Sequence, residues 1–262
     1  MPTATASVTG LSTGDPSSPF HWMREVRPGL RVAFTSRPAG NLALHVGGDA
    51  EGVRRRRSRL EESMGIPAGS LRFMSQTHSD RVTVLGDGRG ADAAVAGAPD
   101  ADGMISPTGT DPLAVLVADC VPVVLADESV ADGGTGATAV VHAGRAGVAN
   151  GIVERAVDLL RRRGARRLSA WIGPSVCGSC YEVPEDMMRE LALALPETAA
   201  RTRTGTPALD LPAGVRRQLG RTAVQVESVP EAEAWCTVEN TALYSHRREP
   251  GAGRLAGLVW RT

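Results

Sequence analysis

Four runs in this chain, LAVLVA at 113–118, VPVVLA at 121–126, ATAVVH at 137–142 and LAGLVW at 255–260, are apolar at most positions rather than at alternate ones. A strand with one wet face alternates; a continuous apolar run needs cover on both faces. Such strands confine the chain to sheets held between other layers. Helical segments supply the cover. Periodicity and glycine stops predict helices over about 49–64, 150–163, 184–195 and 210–219. Further strands are expected at LRVAFTS (30–36), LRFMS (71–75), VTVL (82–85) and LSAWIG (168–173). The Gly- and Asp-rich stretches 86–103 and 126–138 read as loops within the fold, not as linkers. The order is mixed α and β, in one domain spanning 29–262. Residues 1–28, rich in Ser, Thr, Gly and Pro, read as a flexible lead-in with Phe20 and Trp22 as its anchors.

Charge excludes several classes of function. The chain has 29 basic and 29 acidic residues, so no overall field draws it to nucleic acid or an anionic membrane. All of the basic residues are Arg. Without lysine there is no phosphate-loop lysine, no Schiff base and no Ser-Lys dyad, so anions fall to arginine and backbone N–H groups. The first twenty residues lack the basic start and apolar core of a secretory signal, which predicts a cytoplasmic protein. Four cysteines are too few for a disulfide scaffold and are left for packing, metal or redox work.

His78, Cys120 and His142 each follow a strand-like run and stand close to Asp or Gly. Three strand ends can bring such side chains together. Two imidazoles and a thiolate suit zinc with an open fourth position, or copper, or a thiol nucleophile with a basic partner. Each has a bland alternative: a hydrogen-bonded histidine, a buried small thiol, a tight turn. On the first helix, Val53, Arg57, Leu60 and Met64 share one face, so Arg57 interrupts the apolar stripe. It either snorkels outward or points inward to grip an anion. Cys177 and Cys180 form a single CGSC pair without a second pair at zinc-ribbon spacing. Packing is the expectation for these two and for Cys236.

In order, the segments QTHSDRV, DADGMIS, VADCVPVVLAD, VVHAGRAGV, IGPSVCGSCYEV, LDL, CTVEN and YSHRREPGAGRLAGLVW resemble the YfiH-like family, also called laccase-domain or multicopper polyphenol oxidase-like proteins. Some members carry a peptidoglycan editing label. The resemblance spans about residues 30–261. It implies a single-domain α+β fold, a four-layer α/β/β/α sandwich with mixed sheets. It implies a zinc site at His78, Cys120 and His142. It also implies a purine nucleoside phosphorylase that cleaves adenosine, inosine, guanosine and methylthioadenosine with phosphate and deaminates adenosine. Purine nucleoside and phosphate are then the partners, with oligomeric state left open.

Arg57, Arg145 and Arg247 are the expected phosphate-binding residues, with Asn41 and Gln76 as polar partners. Arg57 matches the arginine of the family's Asn-Arg pair, although Arg56 replaces the Asn. Arg247 matches the Ser-Tyr-Arg-Arg segment, with His246 in place of the aromatic residue. The family's His-Ala-Gly-Trp-Arg-Gly is HAGRAG here, so Arg145 stands at the Trp position and Ala146 at the Arg position. Neighbouring side chains in a turn point differently, so Arg145 is not an automatic substitute.

Two other enzymatic readings compete. A copper-dependent polyphenol oxidase needs several His-rich sites, whereas the chain has five histidines, two of them (His21 and His45) outside the matched motifs. A cysteine hydrolase acting on an amide or peptidoglycan precursor would use Cys120 with His78 or His142 as base. A metal-binding protein without catalysis is the non-enzymatic alternative.

Overall fold

The runs that the sequence marks as apolar on both faces pair into two stacked sheets. The structure is a computed structural model in which residues 17–86, 97–128, 130–229 and 235–262 are described. One sheet orders β1 (Phe20–Arg27), β2 (Leu30–Thr35), β12 (Leu255–Arg261) and β5 (Leu113–Val117), all antiparallel. The other orders β11 (Gln225–Val226), β8 (Leu168–Ile172), β6 (Val121–Asp127), β7 (Thr138–Ala143), β4 (Gly103–Ser106) and β3 (Val82–Val84). It is mixed: β3–β4 and β8–β11 are parallel and the remaining pairs antiparallel. A short ladder joins β9 (Ala199–Arg201) to β10 (Pro207–Leu209).

Side chains alternate between cores along each strand. On β6, Val121, Val123 and Leu125 face the helices α3 (Ile152–Arg162) and α5 (Leu211–Arg221), while Val124 and Ala126 face the other sheet. On β5, Leu113, Val115 and Val117 enter the space between the sheets. Ala114 and Leu116 turn instead toward α1 (Ala50–Met64). The layers are therefore α/β/β/α, the expected sandwich. Leu60 and Met64 of α1, both almost fully buried, each contribute about 1.5–3 kcal/mol of burial. Asp49 caps this helix by accepting from Gly52 N at 2.8 Å, and Gly65 ends it at φ 70°.

Several expectations change. The lead-in does not extend to residue 28: Phe20–Arg27 is β1, paired with β2, with Phe20 and Trp22 buried. Residues 1–16 lie outside the described residues, as does 87–96 of the Gly- and Asp-rich stretch. LRFMS is not a continuous strand; it makes isolated bridges, Arg72 to Leu113 and Ser75 to Asp100. The helix expected over 150–163 is α3, and an additional short helix, α2 (Arg145–Ala149), precedes it across Gly151 at φ 73°. The helix expected at 184–195 is α4 (Glu185–Ala194). No helix among the described residues is long and apolar enough to cross a membrane.

Candidate functional site

Cys120 sits where the chain leaves β5 in one sheet and enters β6 in the other. The turn requires a left-handed residue, and Asp119 takes φ 83°. Its carboxylate secures the bend by accepting from Thr237 Oγ1 at 2.6 Å and Arg247 N at 2.7 Å. His142 lies on β7, beside β6, and is 4% exposed. His78 occupies the loop before β3 and is itself left-handed, at φ 60°. The three ligand atoms lie within 4.8 Å of one another. Cys120 Sγ is 3.7 Å from His78 Nε2, and the two imidazoles meet edge to face with centroids 4.8 Å apart.

Asp102 holds this set together from beneath. Its fully buried carboxylate contacts His142 Nδ1 at 2.7 Å. It also accepts backbone N–H groups from Thr77, His78 and Ser79, and the Ser79 hydroxyl at 2.6 Å. With Nδ1 engaged, Nε2 of His142 is left for a ligand, the carboxylate–histidine arrangement of metal sites. Gly144 gives the set its room, since a Cβ there would lie 2.8 Å from His78 Cδ2 and 3.2 Å from Cys120 Sγ. The donor set and its spacing fit one borderline-soft metal ion with an open position.

Charge is strongly coupled here. Burial alone would raise the pKa of Asp102, but hydrogen bonds from His142 and Ser79 hold it well below the usual carboxylate range. Burial would likewise raise Cys120; the charge and hydrogen bonds of His142 and His78 pull it down to about 6. His142 is pushed the other way, to about 9, because Cys120 and Asp102 outweigh its desolvation. Without metal, both shifts favour a thiolate at Cys120 beside an imidazolium at His142.

A cavity of about 880 Å³ opens over this set, bounded by residues from both sheets. That is ample for a nucleoside-sized ligand. Arg57 reaches it from α1, its guanidinium 3.6 Å from the Phe73 ring centroid and its Nε donating to Leu42 O at 2.9 Å. Burial lowers its pKa to about 10, so it remains a cation at neutral pH. Arg254 and His45 line the same corner. Burial, Arg254 and Arg57 all depress the His45 pKa. Arg247, also in the wall, stands over the Tyr181 ring at 5.0 Å.

Residues 32–262 match the family described as multi-copper polyphenol oxidoreductase laccase. The chain belongs to this family. A Mycobacterium bovis relative, named a purine nucleoside phosphorylase, is 41% identical over 260 residues, covering 97% of this chain and 98% of its own length. A Corynebacterium glutamicum protein named likewise is 40% identical over 243 residues, covering 88% of this chain and 94% of its own. The Bacillus licheniformis protein YfiH shares the fold with a TM-score of 0.77 at 25% identity, over 94% of this chain and 97% of that one. A Neisseria meningitidis structure superposes with a TM-score of 0.72 at 29% identity, over 90% and 95% of the two chains.

Within this laccase-like fold the expected residues separate into two groups. His78, Cys120, His142, Arg57 and Arg247 converge on the cavity. Gln76 lines it too, but its amide is spent on the β5 edge, donating to Leu116 O at 2.6 Å and accepting from Leu116 N at 2.8 Å. Asn41 is not in the wall. Its side chain donates to Ala43 O and Val46 O and accepts from Ala43 N and Arg254 N, bracing the His45 loop against Arg254. Arg145 heads α2 and is not among the lining residues, although its charge is felt by Tyr181 in the wall. Asp102, His45, Tyr181 and Arg254 were not singled out as site residues from sequence. Asp102 and Arg254 do lie in the DADGMIS and REPGAGRLAG segments, but nothing local distinguishes a buried carboxylate from a loop one.

Proposed function

We propose that this chain is a zinc-dependent purine nucleoside phosphorylase, acting on adenosine, inosine, guanosine and methylthioadenosine, that also deaminates adenosine. One observation carries the reading: the His78–Cys120–His142 set and the cationic corner of Arg57, His45 and Arg254 line the same cavity. An oxidase of phenols has no use for an arginine pair. A reaction with phosphate does.

Zinc held by His78, Cys120 and His142 would supply a Lewis acid with one position open to substrate or water. Anion binding belongs to the protein groups. The Phe73 ring and Leu42 O fix Arg57 and leave its two terminal nitrogens as a fork for phosphate oxygens. Arg254 adds a second cation, and His45, held neutral between them, adds an N–H without adding charge. Phosphate gripped there attacks the ribose carbon as the bond to the purine nitrogen breaks. The developing positive charge on the sugar is met by the phosphate anion. The purine departs with the electron pair and needs a proton or hydrogen bond. Burial and the neighbouring Cys120 raise the pKa of Tyr181, which keeps its phenol proton available on the cavity wall.

The test is base release from inosine and adenosine, with and without phosphate, by protein whose zinc and copper have been measured. Phosphate-dependent release of hypoxanthine that disappears with zinc supports the reading; release indifferent to phosphate overturns it. The low pKa of Cys120 beside a raised His142 also favours a second reading, a thiol hydrolase of amides. Amide cleavage that survives a chelator and is lost on alkylating Cys120 would select that one. Copper oxidation has less support, because His21 packs edge-on against Trp235 and His45 faces two arginines.

A further inference from the structure

Cys177, Cys180 and Cys236, expected as packing, meet at one point. Their sulfurs and a carboxylate oxygen of Glu239 all lie within 4.8 Å of one another. None of the four is in the wall of the cavity over His78, Cys120 and His142. Tetrahedral zinc with bonds of about 2.3 Å to sulfur separates its ligand atoms by roughly 3.8 Å. Cys180 Sγ already lies 3.3 Å from Glu239 Oε1, and no pair needs a contraction of more than about 1 Å to reach that spacing.

The backbone is built for it. Cys177 O accepts from Cys180 N at 3.0 Å and from Tyr181 N at 3.1 Å, folding CGSC into a tight knuckle that aims both thiols the same way. Gly178 lets this knuckle pack against Asp210 and Ala200, as a Cβ there would lie 2.9 Å from Asp210 Cβ and 3.1 Å from Ala200 Cβ. Cys236 comes from a distant segment that is locked on: Ser175 N donates to Trp235 O at 3.2 Å and Thr237 N to Ser175 O at 3.1 Å. Arg248 then organises the turn carrying Glu239, donating to the carbonyls of Thr237, Val238 and Asn240. Glu239 accepts from Cys180 Sγ at 3.3 Å and pairs with Arg203, which offsets part of the negative charge that three thiolates and a carboxylate would gather.

We propose that Cys177, Cys180, Cys236 and Glu239 form a second metal site, a closed structural zinc site. A set of three thiolates and one carboxylate leaves no open position, in contrast to the three-ligand set in the cavity. Its role is to clamp the 175–181 loop to the 235–240 segment. That clamp bears on the cavity, since Val176 and Tyr181 line it and Thr237 holds Asp119 beside Cys120. The assignment is independent of the nucleoside reading.

The test uses full-length Cys120→Ala, which removes one cavity ligand and with it the zinc bound there. This variant should retain one tightly bound zinc per chain. Zinc should protect Cys177, Cys180 and Cys236 from alkylation, scored by mass spectrometry, and a chelator should expose all three. Cobalt in place of zinc should show thiolate charge-transfer absorption of three sulfurs. Adding Cys180→Ser should abolish binding. Should that variant not fold, Glu239→Gln, at an exposed side chain, should still weaken zinc at least tenfold in chelator competition. Equal alkylation with and without zinc, or a disulfide among the three in zinc-replete protein, overturns the proposal. Absence of phosphorolysis would leave these results untouched.

Discussion

At the residue scale, the His78–Cys120–His142 set depends on backbone that costs energy at one of its members and at one neighbour. His78 at φ 60° and Asp119 at φ 83° are left-handed without being glycine, at about 1–3 kcal/mol each. The Asp102 carboxylate offsets the first and the Thr237 and Arg247 contacts the second. Asp102→Asn keeps the shape but removes the charge that fixes His142 Nδ1–H. It should lower zinc affinity by roughly 10–100-fold, measured by chelator competition. In metal-free protein the same pairing makes Cys120 reactive. Because its pKa is lowered to about 6, the thiolate grows in as pH rises through that value. Alkylation by iodoacetamide should therefore reach half its maximal rate near pH 6, and in Asp102→Asn that midpoint should move up, since His142 loses the charge that keeps it protonated. Gly144→Ala tests space rather than charge. Its Cβ would sit against His78 Cδ2 at 2.8 Å, so zinc should be lost while the thermal unfolding midpoint changes little.

At the element scale, strands buried on both faces were legible and strands fixed by long-range pairing were not. β5, β6, β7 and β12 announce themselves as continuous apolar runs, and α1 through its stripe, its Asp49 cap and its Gly65 stop. Arg57 stands out in that stripe because an arginine among Val53, Leu60 and Met64 needs somewhere to put its charge, and here it packs on Phe73 at the cavity wall. FHWMREVR escaped because the Ser- and Pro-rich stretch before it reads as a lead-in, and only pairing with β2 makes it a strand. LRFMS erred in the opposite direction: its residues are hydrophobic enough for a strand, but they serve the cavity wall through Phe73 and Met74. The convergence of His45 and Arg254 was beyond reach, since it depends on loops about 209 residues apart in the chain meeting at one corner. That β1 belongs to the core is testable. Trp22 is 3% exposed and packs against Phe34 and Trp235, so Trp22→Ala should cost about 3–5 kcal/mol in denaturant unfolding. A cost below 1 kcal/mol would return the strand to the lead-in.

At the scale of the whole molecule, the two sheets divide the labour of the cavity. His142 belongs to the six-stranded sheet, and His78 lies in the loop entering it. Arg254 adjoins β12 of the four-stranded sheet, and Arg57 comes from the helix covering that sheet. Cys120 lies on the crossing between them. Because the anion corner and the metal set rest on different layers, one can be disabled without dismantling the other. Arg57→Met keeps the length and packing of the side chain over Phe73 while removing the fork. Phosphorolysis of inosine should then fall at least a hundredfold in kcat/KM, mostly through the KM for phosphate, with bound zinc unchanged. The proposed adenosine deamination needs water rather than phosphate in the same cavity, so on that reading it should persist within a few-fold. Parallel loss of both activities with zinc retained would mean that Arg57 orients the nucleoside instead, and would shift the phosphate site toward Arg247 and Tyr181.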